Sequence, residues 1–117
     1  MLEKQYKYTI TTEKTIERII DDENVNINHM VLNKGERLPE HYSNSNVYMI
    51  VIKGILSLQL DEQETHSYAK GEIVNIPFNT KMNVFNENED LLEFFVVKSP
   101  CPKNYQLYED FKKNISL

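Results

Sequence analysis

The sequence predicts a single all-β barrel domain with one helix at its C-terminus, and three observations carry that reading. A chain of 117 residues suits one ordinary domain and leaves no room for two independently cored ones. Between residues 26 and 98, short segments rich in β-branched and aromatic residues alternate with turn residues, the rhythm of a sandwich or barrel. Leu56, Leu58 and Leu60 alternate with Ser57 and Gln59, so one side of that segment faces an apolar interior and the other faces water.

About eight strands follow when the elements are taken in order. In segment 15–20, Ile16, Ile19 and Ile20 fit one helical face while Ile16 and Ile20 also fit strand alternation, and the strand is preferred. Segment 26–32 ends at the turn Asn33-Lys34-Gly35, and segments 47–52 and 55–60 flank Lys53-Gly54. Segment 65–69 precedes Lys70-Gly71-Glu72, segment 73–76 stops at Pro77, and segments 81–85 and 91–98 flank the polar stretch 86–90, read as a solvated turn. Met82 and Val84 align inward. The barrel thus covers about 15–98 of a single domain spanning 1–117. Beyond Pro100-Cys101-Pro102, Asn104, Tyr108, Phe111 and Ile115 recur at helical spacing, with Glu109 and Asp110 ahead of Lys112 and Lys113 as the helix dipole prefers. That spacing predicts an α-helix over about 104–116, packed outside the barrel.

Composition excludes several classes. Hydrophobic residues at 40% and charged residues at 26%, with four Pro and three Gly, describe a soluble globular chain. Eighteen acidic against thirteen basic residues give a net charge of −5, and no run of Lys or Arg tracks a phosphate backbone, so no nucleic acid is expected. The longest apolar stretch, 47–52, is far short of the roughly 20 residues that span a bilayer, so no membrane is expected either. The single Cys101 excludes an intrachain disulfide, and the start MLEKQYKYTI carries charges where a signal peptide needs an apolar stretch. A reducing cytoplasm is the expected location.

The spacing of glycines and of one histidine resembles the cupins, a family of small β-barrels marked by two short motifs. Gly35, the five residues ERLPE, His41, and Gly54 seven residues after Val47 match the frame of the first motif. Gly71, Pro77 and Asn86 match the second, and the segment between the motifs is short, as in compact one-domain cupins. The resemblance covers residues 26–98. It implies a double-stranded β-helix, or jelly-roll, barrel, and in metal-dependent members a ligand set of two His and one Glu from the first motif and one His from the second. At those positions this chain has His41, Ser43, Val47 and Met82, and Asn79 stands where the second motif has Gly. One imidazole, a neutral hydroxyl and a thioether are poor donors for a divalent metal, so no metal and no other cofactor is expected.

In a small barrel the inner positions either fill the core or line a ligand cavity. His41 and Ser43 are expected at the mouth of such a cavity, His41 as a ligand donor or general acid/base, or as a histidine bonded to backbone. Val47 is an apolar wall, and Met82 packs on an inner strand face rather than serving as a soft donor. His29 has two registers open to it. In one, Ile27 and Val31 share its face and it turns inward to join His41 in a two-His site; in the other, Met30 and Leu32 are buried and His29 is in solvent. His66 is read as an exposed edge residue, Tyr42 and Tyr48 as outward-facing interface residues, and Cys101 as an incidental thiol.

Three functions stay open. The first is a small-molecule-binding barrel without the usual metal site, with an apolar pocket whose ligand is oriented by His41 and Ser43. The second is an enzyme, metal-dependent through atypical ligands such as His29 and His41 or acid/base through His41 alone. The third is a structural or interaction module with a filled barrel. A homodimer is expected from the resemblance to small cupins and from the edge cover that the N-terminal strand and the helix offer.

Overall fold

Nine strands form the domain: β1 Thr15–Asp21, β2 Asn26–Leu32, β3 His41–Tyr42, β4 Val47–Lys53, β5 Ile55–Leu60, β6 His66–Ala69, β7 Ile73–Ile76, β8 Lys81–Phe85 and β9 Leu92–Lys98. The structure is a computed structural model that describes residues 1–104; apart from residue 104, the helix expected over 104–116 lies outside the described residues. Each of the eight segments read from the sequence is a strand, including the ambiguous first one. The ninth, β3, is two residues long, too short to carry an alternation, and only its pairing with β8 defines it.

The strands pair antiparallel in two sheets, one ordered β1-β2-β9-β4-β7 and the other β3-β8-β5-β6. Alternation decides which side chains meet between them. Met30 and Leu32 of β2, Val47, Met49 and Val51 of β4, Ile76 of β7, and Leu92, Phe94 and Val96 of β9 pack in one cluster with Leu56 and Leu58 of β5 and Met82 and Val84 of β8. Each such side chain, fully buried, contributes about 1.5–3 kcal/mol relative to exposure. The inward alignment of Leu56, Leu58, Met82 and Val84 matches the period-two reading.

The outer face of β5 departs from that reading. Ser57 is fully buried rather than facing water, and its Oγ donates to Glu87 Oε1 at 3.3 Å. The β8–β9 connection folds over this face and brings a carboxylate to the hydroxyl. Alternation reports the side of a sheet, not what later covers it.

Two backbone positions fix the crossings between elements. Gly54, which passes the chain from β4 to β5, has φ +79°, and a Cβ there would collide with the Leu91 carbonyl oxygen. Asn79, in the glycine position of the second motif, has φ +63°, a left-handed conformation that asparagine tolerates better than most side chains. The motif's backbone geometry is kept although its glycine is not.

Ahead of β1 the chain lies as a strap against the outer face of the first sheet. Thr9 donates its backbone N–H to Glu17 Oε1 at 2.7 Å and its hydroxyl to Glu17 Oε2 at 2.8 Å, and Asn33 Nδ2 donates to the Thr12 carbonyl at 2.9 Å.

Gly54→Ala is expected to lower unfolding free energy by more than about 1 kcal/mol, because the new Cβ meets both a positive φ and backbone. Urea denaturation of the two proteins, with unchanged m-values, checks it.

Candidate functional site

The side chains that could hold a ligand gather at one end of the barrel, where β4 and β8 begin and β3, β5, β7 and β9 end. Register places His41 opposite Met82, Met82 opposite Leu60, and Val47 between Ile76 and Lys98, with Asn26 on the far side of Lys98. Ser43 ties the loops of this end together. Its Oγ donates to the Pro77 carbonyl at 2.6 Å and accepts the Thr80 N–H at 2.8 Å, while its backbone N–H donates to Thr80 O and its carbonyl accepts from Asn79 N. The hydroxyl is buried and engaged in the fold, not presented to a ligand.

His41 stands exposed on the rim, and its Nδ1 lies 2.7 Å from the Pro39 carbonyl. A carbonyl only accepts, so Nδ1 is the donor of this bond. Val47 and Met82 are fully buried members of the core cluster. The four motif positions therefore present one rim imidazole, one engaged hydroxyl and two packed apolar side chains, a set that does not fit a divalent metal. Among the described residues no group of three or more His, Cys, Asp and Glu is arranged to hold one.

His29 takes neither of the two places read from the sequence. Met30 and Leu32 face the core, so His29 lies on the opposite, outer face of the sheet, yet it is fully buried there instead of solvated. Glu17 on β1 and Phe95 on β9 are its direct cross-strand neighbours. Nδ1 is 2.9 Å from Glu17 Oε1, Nε2 is 2.6 Å from Glu93 Oε2, and the Tyr8 ring of the strap covers it at 4.7 Å between centroids. His29 thus does not join His41. The Thr9 N–H first, then its hydroxyl, and more weakly His29, hold the Glu17 carboxyl below the usual carboxylate range.

The open space lies beside the motif positions. A cleft of about 520 Å³ opens at this barrel end between β1, β2, the β3–β4 loop and the chain after β9, with Arg18, Asn26, Asn44, Lys98, Cys101 and Lys103 among its walls and Asp21, Asp22 and Glu23 at one side. Neither His29, His41, Ser43, Val47 nor Met82 lines it. Lys98 follows Leu92, Phe94 and Val96 at core parity and emerges where the core ends. Burial, and then the Arg18 guanidinium, push its ammonium below the ordinary lysine range. Cys101 is buried in the cleft wall. No spacing motif joins Arg18 to Lys98. The one signal in the sequence is a lysine in phase with three core residues.

His66 is exposed on the edge strand β6, Tyr48 is on the exposed side of the alternation in β4, and Tyr42 is exposed beside the equally exposed His41. No helix among the described residues is long and apolar enough to cross a membrane.

The order of strands, the glycine frame and the apolar core between the sheets match a double-stranded β-helix barrel of the cupin type. The chain is 50% identical over 111 residues to an uncharacterized protein of Methanocaldococcus jannaschii, covering 94% of this chain and 96% of that one. The crystal structure of an RmlC-like cupin family protein with a double-stranded β-helix fold from the same organism superposes with a TM-score of 0.87 at 50% identity, over 91% of this chain and 98% of the other. A cupin-like protein from Thermotoga maritima (TM-score 0.68, 19% identity, 73% of this chain and 67% of the other) shares the fold. So does a cupin superfamily protein from Desulfitobacterium hafniense (TM-score 0.67, 10% identity, 80% and 83%). No family model matches the chain. By its likeness to the archaeal protein, the chain belongs to the cupin superfamily.

Val47→Phe is expected to cost about 1–3 kcal/mol, since the position is fully buried and bordered by Ile76 rather than by open space. A fall in the denaturation midpoint checks this.

Proposed function

We propose that this cupin is a small-molecule-binding barrel whose ligand sits in the barrel-end cleft and not in the barrel interior. The cleft is the observation that carries the reading. Its volume of about 520 Å³ falls in the range of roughly 300–1,000 Å³ typical of small-molecule sites. Val47 and Met82, at the inner positions where metal-dependent relatives are expected to place donors, belong to the packed core. Asn44 of the β3–β4 loop is among the lining residues, and its amide carries both a donor and an acceptor.

A thermal-shift survey of small metabolites on the native protein and on Asn44→Trp tests the proposal. At least one compound is expected to raise the native melting temperature, with the shift lost when Trp fills the cleft. A compound that shifts both proteins equally, or a broad survey in which none shifts the native protein, overturns it.

A second reading, an interaction module working as a homodimer, is favoured by apolar side chains left in water. Leu2 and Ile10 of the N-terminal segment are almost fully exposed, and Ile73 on the edge strand β7 is 64% exposed. Unpaired edges and exposed apolar side chains are commonly covered by a second copy. Light scattering is expected to report a dimer; a monomer throughout the micromolar range defeats this reading.

A further inference from the structure

We infer that the barrel-end cleft takes an oxyanion, a carboxylate or phosphate group, held between Lys98 and Arg18; the inference rests on the proposed binding site and names the class of its ligand. Lys98 approaches the cleft from β9 and Arg18 from β1. Among the described residues the Lys98 ammonium forms no ion pair or hydrogen bond, and its charged neighbour is another cation.

Two of the acids of the cleft are already engaged, Asp21 within the cleft and Asp22 in its own turn. Asp21 Oδ2 pairs with Arg18 Nη1 at 3.1 Å, and Asp21 Oδ1 accepts from Asn26 Nδ2 at 3.2 Å. Asp22 Oδ1 accepts the N–H groups of Asn24 and Val25. Glu23 stands on the turn side with these two, so a ligand would turn its anionic group toward β9 and its neutral part toward the turn. Arg18 keeps guanidinium donors beyond the one given to Asp21, and an arginine fork beside a lysine suits an oxyanion.

A partly desolvated ammonium facing a guanidinium disfavours its own charge, so in the free protein Lys98 works against the fold. A bound anion outweighs the repulsion by supplying the missing counter-charge. A side chain that opposes stability when the cleft is empty and is relieved by a ligand has the character of a binding group.

The sign of this effect sets the test. The depressed lysine costs stability while it is protonated, and the cost fades as pH rises toward the ordinary lysine value of 10.5. Lys98→Met keeps the stem and removes the charge. It is expected to melt higher than the native protein at neutral pH without ligand, with the gap closing at alkaline pH.

Inorganic phosphate, acetate and succinate serve as anion probes, with glucose as a neutral control. At least one anion is expected to bind the native protein, at least tenfold more weakly to Lys98→Met, with Lys98→Arg retaining most of the affinity and Arg18→Gln losing part of it. Phosphate binding alone assigns a phosphate ligand, and carboxylate binding alone assigns a carboxylate. If Lys98→Met melts lower than native, or binds the anions as well as native, the inference fails. If neutral compounds shift native and Lys98→Met equally but not Asn44→Trp, the anion class fails while the cleft stands. If Asn44→Trp also responds, the site itself is wrong.

Discussion

A buried apolar cluster shared by both sheets is the constraint on which the rest of this molecule depends. Phe94, Val47, Met82 and their neighbours from both sheets meet between the two layers. An imidazole or carboxylate placed at Val47 would enter this apolar cluster, where an unpaired polar group costs several kcal/mol. Val47 and Met82 therefore give apolar packing at positions where the motif resemblance implies metal donors. The apolar run of β9 ends between Val96 and Lys98, and the proposed cleft begins there.

What is left of the family motifs in this chain is turn chemistry. Gly35, Gly54, Gly71 and Asn79 all adopt positive φ, so the frame that spaces the motifs also reverses the chain at the barrel ends. Asn86 closes the second motif as a buried clamp, its Nδ2 donating to the carbonyls of Leu32 and Asp90 while its Oδ1 accepts from Asn88 N. Backbone conformation and coordination chemistry are separable properties of the same motifs. This chain keeps the first.

The same separation explains how much of the molecule was legible in its sequence. Strands and inner faces were readable because period-two alternation is a local property, as at Leu56 and Leu58 or Met82 and Val84. The two-residue β3 was not, because its existence depends on a partner forty residues away. Ser57 and His29 were misplaced for one reason: alternation assigns a residue to a face, and each of these faces is covered by chain from elsewhere, the β8–β9 connection over Ser57 and the N-terminal strap over His29. The cleft was invisible because its cations lie eighty residues apart and become neighbours only through β2, which pairs with both β1 and β9.

The burial of His29 also makes the chain ahead of β1 part of the outer layer of the sheet. The two ring nitrogens of His29 each meet a carboxylate oxygen, Glu17 Oε1 and Glu93 Oε2, and the Tyr8 ring covers the imidazole. Glu17 belongs at once to this cluster and to the anchor of Thr9, so the strap and the polar cluster beneath it hold each other in place. Lifting the N-terminal segment would admit water to an imidazole that is otherwise sheltered, which couples the order of the chain's first residues to the hydration of the middle of β2.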